Sequence, residues 1–213
     1  MAEVIWSRPE RTQPHLSRSK ITAAAIALAD ERGVDALSMR QLAAELGCGT
    51  MSLYRHVRTK DELLDLMVDA VVGEGRADLR PTGDWRADLR RIAHAEREVA
   101  LRHPWVPRLM ATRSFLGPNV VAAIESALSS VDGRGLGTAE MVRVIDTVTA
   151  FVHGFQNSLP RLEDVHYLKS LVDSGEHPRF ARMVEESDSH SDRDAAFEWQ
   201  LERVLDGLAT VLG

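Results

Sequence analysis

The sequence predicts an all-α protein: an N-terminal three-helix helix-turn-helix domain followed by a helical-bundle body. Three observations support this. Apolar residues recur at three- and four-residue spacing through most of the chain, and no segment alternates as a strand does. Aromatic residues, which strands favour, make up only 5% of the composition. Helix-capping residues stand directly before the periodic segments, with Gly or Pro behind several of them.

Residues 1–16 read as a flexible arm, because Pro9 and Pro14 interrupt any helix and no apolar period is present. The head occupies residues 17–60. Its first helix is expected over about 19–32, capped by Ser17 or Ser19 and striped by Ile21, Ala25, Leu28 and Ala29. Gly33 closes it as a C-cap. Ser38 caps the second helix, and Gln41 completes a capping box. Gly47, Cys48 and Gly49 are small enough for a sharp bend, with Leu42, Leu46, Leu53 and Val57 facing inward. Thr59, with Glu62, starts a long helix through roughly Val72. Leu63, Met67 and Ala70 line one side of it, and Leu64, Val68 and Val71 an adjacent one. Such a helix is buried on both sides and can carry movement between head and body.

The body, residues 61–213, continues with a helix over Trp85–Arg102 capped by Asp84, its buried face made by Leu89, Ile92, Ala93 and Val99. A short element over 106–112 and a helix over Pro118–Val131 follow. Gly133, Gly135 and Gly137 mark a loop. The next helix, opened by Thr138, carries Met141, Val144, Ile145, Val148, Phe151, Val152 and Phe155 as a packing seam. Pro160 and Pro178 break residues 157–193, with a helix over 162–172 and an acidic, mobile stretch over 185–194. The final helix, 192–212, aligns Phe197, Leu201, Val204, Leu205, Leu208 and Leu212.

Composition narrows the function. The net charge of −6 is uneven: residues 1–60 hold nine basic and six acidic side chains, a balance of +3 that leaves −9 elsewhere. A basic head on an acidic body suits contact with a polyanion through one end. No apolar run reaches the ~18 residues that span a bilayer, and no secretory leader is evident, so a cytoplasmic protein without a membrane partner is expected. The single cysteine, Cys48, excludes an internal disulfide framework and reads as a small turn residue. The histidines show no metal-binding spacing, and neither a metal nor a cofactor is expected.

The stretch from 38 to 60 carries the chemistry. After the bend comes an exposed cluster of Thr50, Ser52, Tyr54, Arg55 and His56, closed by Arg58 and Lys60. That is a helix-turn-helix pattern, whose second helix enters the major groove of DNA. Arg8 and Arg11 of the arm are placed to lie on phosphates, unless the arm is a tail without a role. Tyr54 offers a ring and hydroxyl to sugar and phosphate, and Lys60 a point charge. Arg55 can fork onto guanine, or remain a solvated charge; Arg40, early in the second helix, can reach a base or phosphate or do neither.

The run LYRHVRTKDELL, behind a capped first helix and a helix-turn-helix, resembles the TetR family of bacterial transcriptional repressors over about residues 18–66. The body is similar, by helix order and patterned last helix, to the C-terminal domain of the tetracycline repressor and its relatives. The resemblance implies a backbone contact from Tyr54; Lys60 and His56 are placed for the same role, and Thr50, Met51, Ser52 and Arg55 are the exposed positions of the recognition helix, expected to read bases. Arg55 replaces the tryptophan of the tetracycline repressor, which implies a different operator. A homodimer is implied, its four-helix bundle drawn from Val144, Val148 and Phe151 with Phe197, Leu201, Val204, Leu205 and Leu208, unless both seams serve only the protomer. A small-molecule effector is implied within the body; residues of mixed apolar and polar character between the seams are the candidates to line its site, Met67, His94, Trp105, Met110, Arg113, Phe115, Phe151 and Gln156, unless they are plain core. Leu109 stands where the tetracycline repressor has a metal-binding histidine, which argues against a magnesium–tetracycline ligand.

A ligand-responsive dimeric repressor on double-stranded operator DNA is therefore expected. A ligand-independent regulator remains open. An enzyme with a helical body is the remaining alternative, although no G-x-S-x-G, phosphate-cradling glycine loop or activated cysteine is present.

Overall fold

The computed structural model describes residues 4–10, 16–75, 79–157, 169, 171–186 and 192–213, and these contain helices and no strand. Helices α1 (Arg18–Arg32), α2 (Met39–Glu45) and α3 (Thr50–Tyr54) form the head. Helix α4 (Lys60–Glu74) leads into a body of α5 (Trp85–Arg102), α6 (Val106–Met110), α7 (Pro118–Val131), α8 (Thr138–Asn157), α9 (Pro178–Glu186) and α10 (Arg193–Leu212).

The caps act where the sequence places them. The Lys20 N–H donates to Ser17 Oγ at 3.2 Å, and the Gln41 N–H to Ser38 Oγ at 3.2 Å. Ser38 Oγ in turn donates to Gln41 Oε1 at 2.8 Å. At α4 the Glu62 N–H donates to Thr59 Oγ1 at 3.1 Å, while Glu62 Oε2 accepts from the Arg58 N–H at 2.7 Å rather than from Thr59. Only Gly47 of the bend needs positive φ, at 62°; Gly49 is extended before α3. Pro178 opens α9 rather than breaking a helix, as its fixed φ allows at a first position. Most of the helix expected over 162–172 lies outside the described residues.

Residues 4–10 are not a loose arm. Ile5 is buried in a three-residue 3-10 turn and packs with Leu16 in the head core. Arg8 is buried against Glu62, at 2.6 Å, and so is turned away from any phosphate. The Arg18 N–H donates to Glu10 Oε1 at 2.8 Å. An interior apolar side chain and a buried ion pair hold the segment down where two prolines alone suggested freedom. Arg11 lies outside the described residues.

The core has two parts. One runs from the head along α4 into the body, joining Ile21, Leu42, Leu53 and Val57 to Leu63, Met67, Val68 and Val71, then to Trp105, Phe115 and Val120. The other joins α5, α7, α8 and α10 through Leu89, Ile92, Val131, Val148, Val152, Phe197, Leu201 and Leu205. Head and body are also tied by polar contacts. Asp30 of α1 accepts from Trp105 Nε1 at 2.7 Å and pairs with His103 Nδ1 at 2.9 Å. Asp69 of α4 caps α7, accepting from the backbone N–H groups of Asn119 and Val120 at 2.8 and 3.0 Å and from Asn119 Nδ2 at 3.0 Å.

Candidate DNA interface and effector cavity

Helix α3 buries one side and leaves the other outside. Leu53 and Val57 are fully buried. Met51 is 72% exposed and Tyr54 41%, and Arg55, Arg58 and Lys60 are exposed beside them. Thr50 and Ser52 are half-buried, and Arg40 is exposed on α2. The exposed set therefore presents four cations, a phenol and a thioether. His56 does not belong to it. It is 2% exposed, sharing the inward face with Leu53 at a spacing of three, and a ring held there cannot grip a phosphate.

The body encloses a cavity of about 400 Å³ between α4, α5, α6, α7 and α8. Its wall is largely apolar, with Val72, Ile92, Val99, Val120 and Ile145 among the lining residues. Of the eight residues expected at an effector site, Met110, Arg113 and Phe115 line it. The other five are used elsewhere. Met67 is fully buried in the core along α4. His94 faces α10, 3.1 Å from Glu198 and edge-on to Phe197. Trp105 belongs to the head–body junction with Asp30. Phe151 stacks on Phe197 at 5.3 Å, and Gln156 lies half-buried beyond the cavity near the end of α8.

Four lining residues carry ionisable groups: Glu96, Arg113, Asp146 and His153. The sequence reading missed three of them. Glu96 Oε1 accepts from Thr149 Oγ1 at 3.0 Å. Burial pushes the Glu96 carboxyl up to about 7, with the Thr149 hydrogen bond only partly opposing it. Burial likewise holds the His153 ring below its ordinary value, because the charged form is costly to desolvate. Arg113 reaches out of the cavity to α4, 2.9 Å from Asp61 and in close contact with Asp65, and lies over the Phe115 ring. Glu96 was detectable: it falls in register with Leu89, Ile92, Ala93 and Val99, a charge on an otherwise apolar stripe.

The expected dimer residues fill the protomer. Val144, Val148, Phe197, Leu201, Leu205 and Leu208 are buried, and Phe151 and Val204 half-buried, because α5 packs over that face of α8 and α10. What these helices leave exposed is the opposite side: Val142, Thr147, Ala150 and Gly154 on α8, with Trp199, Arg203 and Val211 on α10.

A basic helix-turn-helix head joined by one continuous helix to a body with a ligand-sized cavity defines a DNA-binding regulator of the ligand-responsive class. The comparisons agree. Residues 21–67 match the model for bacterial regulatory proteins of the tetR family, and residues 78–212 match that for the tetracyclin repressor-like C-terminal domain. The chain belongs to the TetR family of transcriptional regulators. It is 36% identical over 232 residues to the HTH-type transcriptional repressor DrrR1 of Streptomyces coeruleorubidus, covering 99% of this chain and 85% of that protein. Among solved structures it resembles apo ActR of Streptomyces coelicolor, with TM-score 0.77, 28% identity and coverage of 95% and 99% of the two chains. The ActR complex with actinorhodin aligns with TM-score 0.76, at 28% identity, covering 94% of this chain and 99% of that one. The protein is a DNA-binding transcriptional regulator of this family, and the ActR structures it resembles include complexes with (S)-DNPA and with actinorhodin. No helix among the described residues is long and apolar enough to cross a membrane.

Proposed function

We propose that Met51, Tyr54, Arg55 and Lys60, with Thr50, Ser52 and Arg40, form the operator-contacting face, and that the 400 Å³ cavity receives the effector. The observation that carries this reading is α4. It starts at Lys60, on the exposed basic end, and its last turns supply Val72 and the adjoining Gly75 to the cavity wall. A helix of 15 residues spans about 22 Å, so one rigid element touches both sites. An effector that repacks the cavity tilts α4 and changes the separation of the two heads in the dimer. Two-fold heads must sit about 34 Å apart to enter successive major grooves, so a small tilt releases DNA. The exposed sides of α8 and α10, with Trp199 at 64% exposure, supply the dimer contact. Regulation of transcription in the cytoplasm, without a catalytic role, accounts for these features.

Fluorescence anisotropy on an operator selected from random duplexes tests the head. Tyr54→Ala and Lys60→Ala should weaken binding to all sequences, and Lys60→Ala should lower the salt dependence by about one ion per half-site. Arg55→Ala should cost about 1–3 kcal/mol per half-site and relax preference at one base pair. Unchanged affinity in all three variants removes α3 from the interface. A library of small molecules screened for release of the same complex then tests the cavity.

A further inference from the structure

The ionisable groups around the cavity are not equivalent. Arg113 is already matched by Asp61 and Asp65 and covered by Phe115. Burial disfavours the charged form of His153. Asp146 is an exposed residue of α8. Glu96 stands apart: α5 carries its carboxyl into the apolar wall, Oε1 takes the Thr149 hydroxyl, and Oε2 is shut off from water with no hydrogen-bond partner. Proteins rarely keep a carboxyl in such a place unless it is paired, because the charged form is costly to desolvate.

We propose that this cavity selects an organic cation: an amine with a rigid apolar body whose ammonium group pairs with the Glu96 carboxylate in the cavity wall. The inference rests on the reading of the cavity as the effector site. A neutral hydroxyl could donate to Oε2 but would leave the carboxylate charge uncompensated. An anion would meet Glu96 and Asp146, with no unmatched cation among the described lining residues to receive it. An ammonium supplies both donors and counter-charge, and such charge-assisted hydrogen bonds are the stronger kind. Ile92, Val99, Val120 and Ile145 offer the apolar surface for the ligand body. The high pKa of Glu96 is what a carboxyl without a counter-charge should show, and a bound ammonium would lower it.

Three probes of one shape separate the terms: 9-anthracenylmethylamine, 9-anthracenemethanol and 9-anthracenecarboxylate. They are titrated into the full-length dimer at pH 8 with fluorescence and calorimetric readouts. The amine should bind at least about tenfold tighter than the alcohol, and the carboxylate weakest. Glu96→Gln keeps the side-chain volume and an oxygen for Thr149, and it should bring the amine to the affinity of the alcohol. Equal affinity of amine and alcohol for the unmodified protein, or an amine preference that survives Glu96→Gln, overturns the cation selection while leaving the effector site standing. No binding of any probe overturns both readings together.

Discussion

Gly117→Ala should be one of the most destabilising single-methyl additions in this protein, costing about 3–5 kcal/mol in urea unfolding at fixed protein concentration. The backbone is not the reason. Gly117 has φ −78°, which alanine adopts freely. The cost comes from Asp69, whose carboxylate occupies the space a Cβ would need. Asp69 is 4% exposed and bound to three N–H donors at the start of α7. Displacing it leaves the buried Val120 N–H unsatisfied, at about 1–3 kcal/mol, and weakens the part-buried bonds to Asn119. Asp69→Ala alone should lose a similar amount. The double variant should then be far less destabilised than the sum, because the second methyl enters space the first substitution vacated. Additive losses would show that Gly117 and Asp69 act separately. Gly47→Ala makes a useful contrast. Its φ is 62° with open space around it, so a cost of about 1 kcal/mol is expected from conformation alone.

Asp69 also shows what the sequence could and could not say. The helices were legible because their caps and apolar stripes are local: Asp84, Ser38 and Thr59 mark starts that the structure keeps. Pairings between helices were not. Nothing local says that Asp69 caps α7 about fifty positions away, or that α5 covers the seam of Val144, Val148 and Leu201 and so removes it from the dimer surface. Periodicity does flag charges on apolar faces, and both Asp69 and Glu96 are such charges. His56 shows the converse. The polarity of an imidazole next to Arg55 suggests an outward role, whereas its spacing of three from Leu53 puts it on the buried face. The cavity depends on five helices meeting, and only three of its lining residues could be anticipated from mixed apolar and polar character.

Glu96→Gln should stabilise the ligand-free protein at alkaline pH and do little near pH 4.5. The sign follows from proton binding. The Glu96 carboxyl titrates at about 7 in the folded protein against 4.5 for the exposed group. Between those values the folded state holds a proton that the unfolded chain has lost, so the stability of the parent falls as pH rises. Below 4.5 both states are protonated and the penalty vanishes; above 7 it is complete. The difference is on the order of 3 kcal/mol at pH 8. Glutamine carries no such dependence and still offers Thr149 an acceptor. His153, whose depressed pKa has the opposite pH slope, is present in both proteins and drops out of the comparison. Urea unfolding of the two proteins from pH 5 to 8 should give curves that diverge with rising pH, and parallel curves would sink the prediction. Divergence of that size would mean that the chain carries Glu96 at a stability cost, which is the behaviour expected of a binding group rather than a structural one. Saturating the parent with an amine that pairs with Glu96 should recover part of that loss at pH 8, and Glu96→Gln should gain much less from the same ligand.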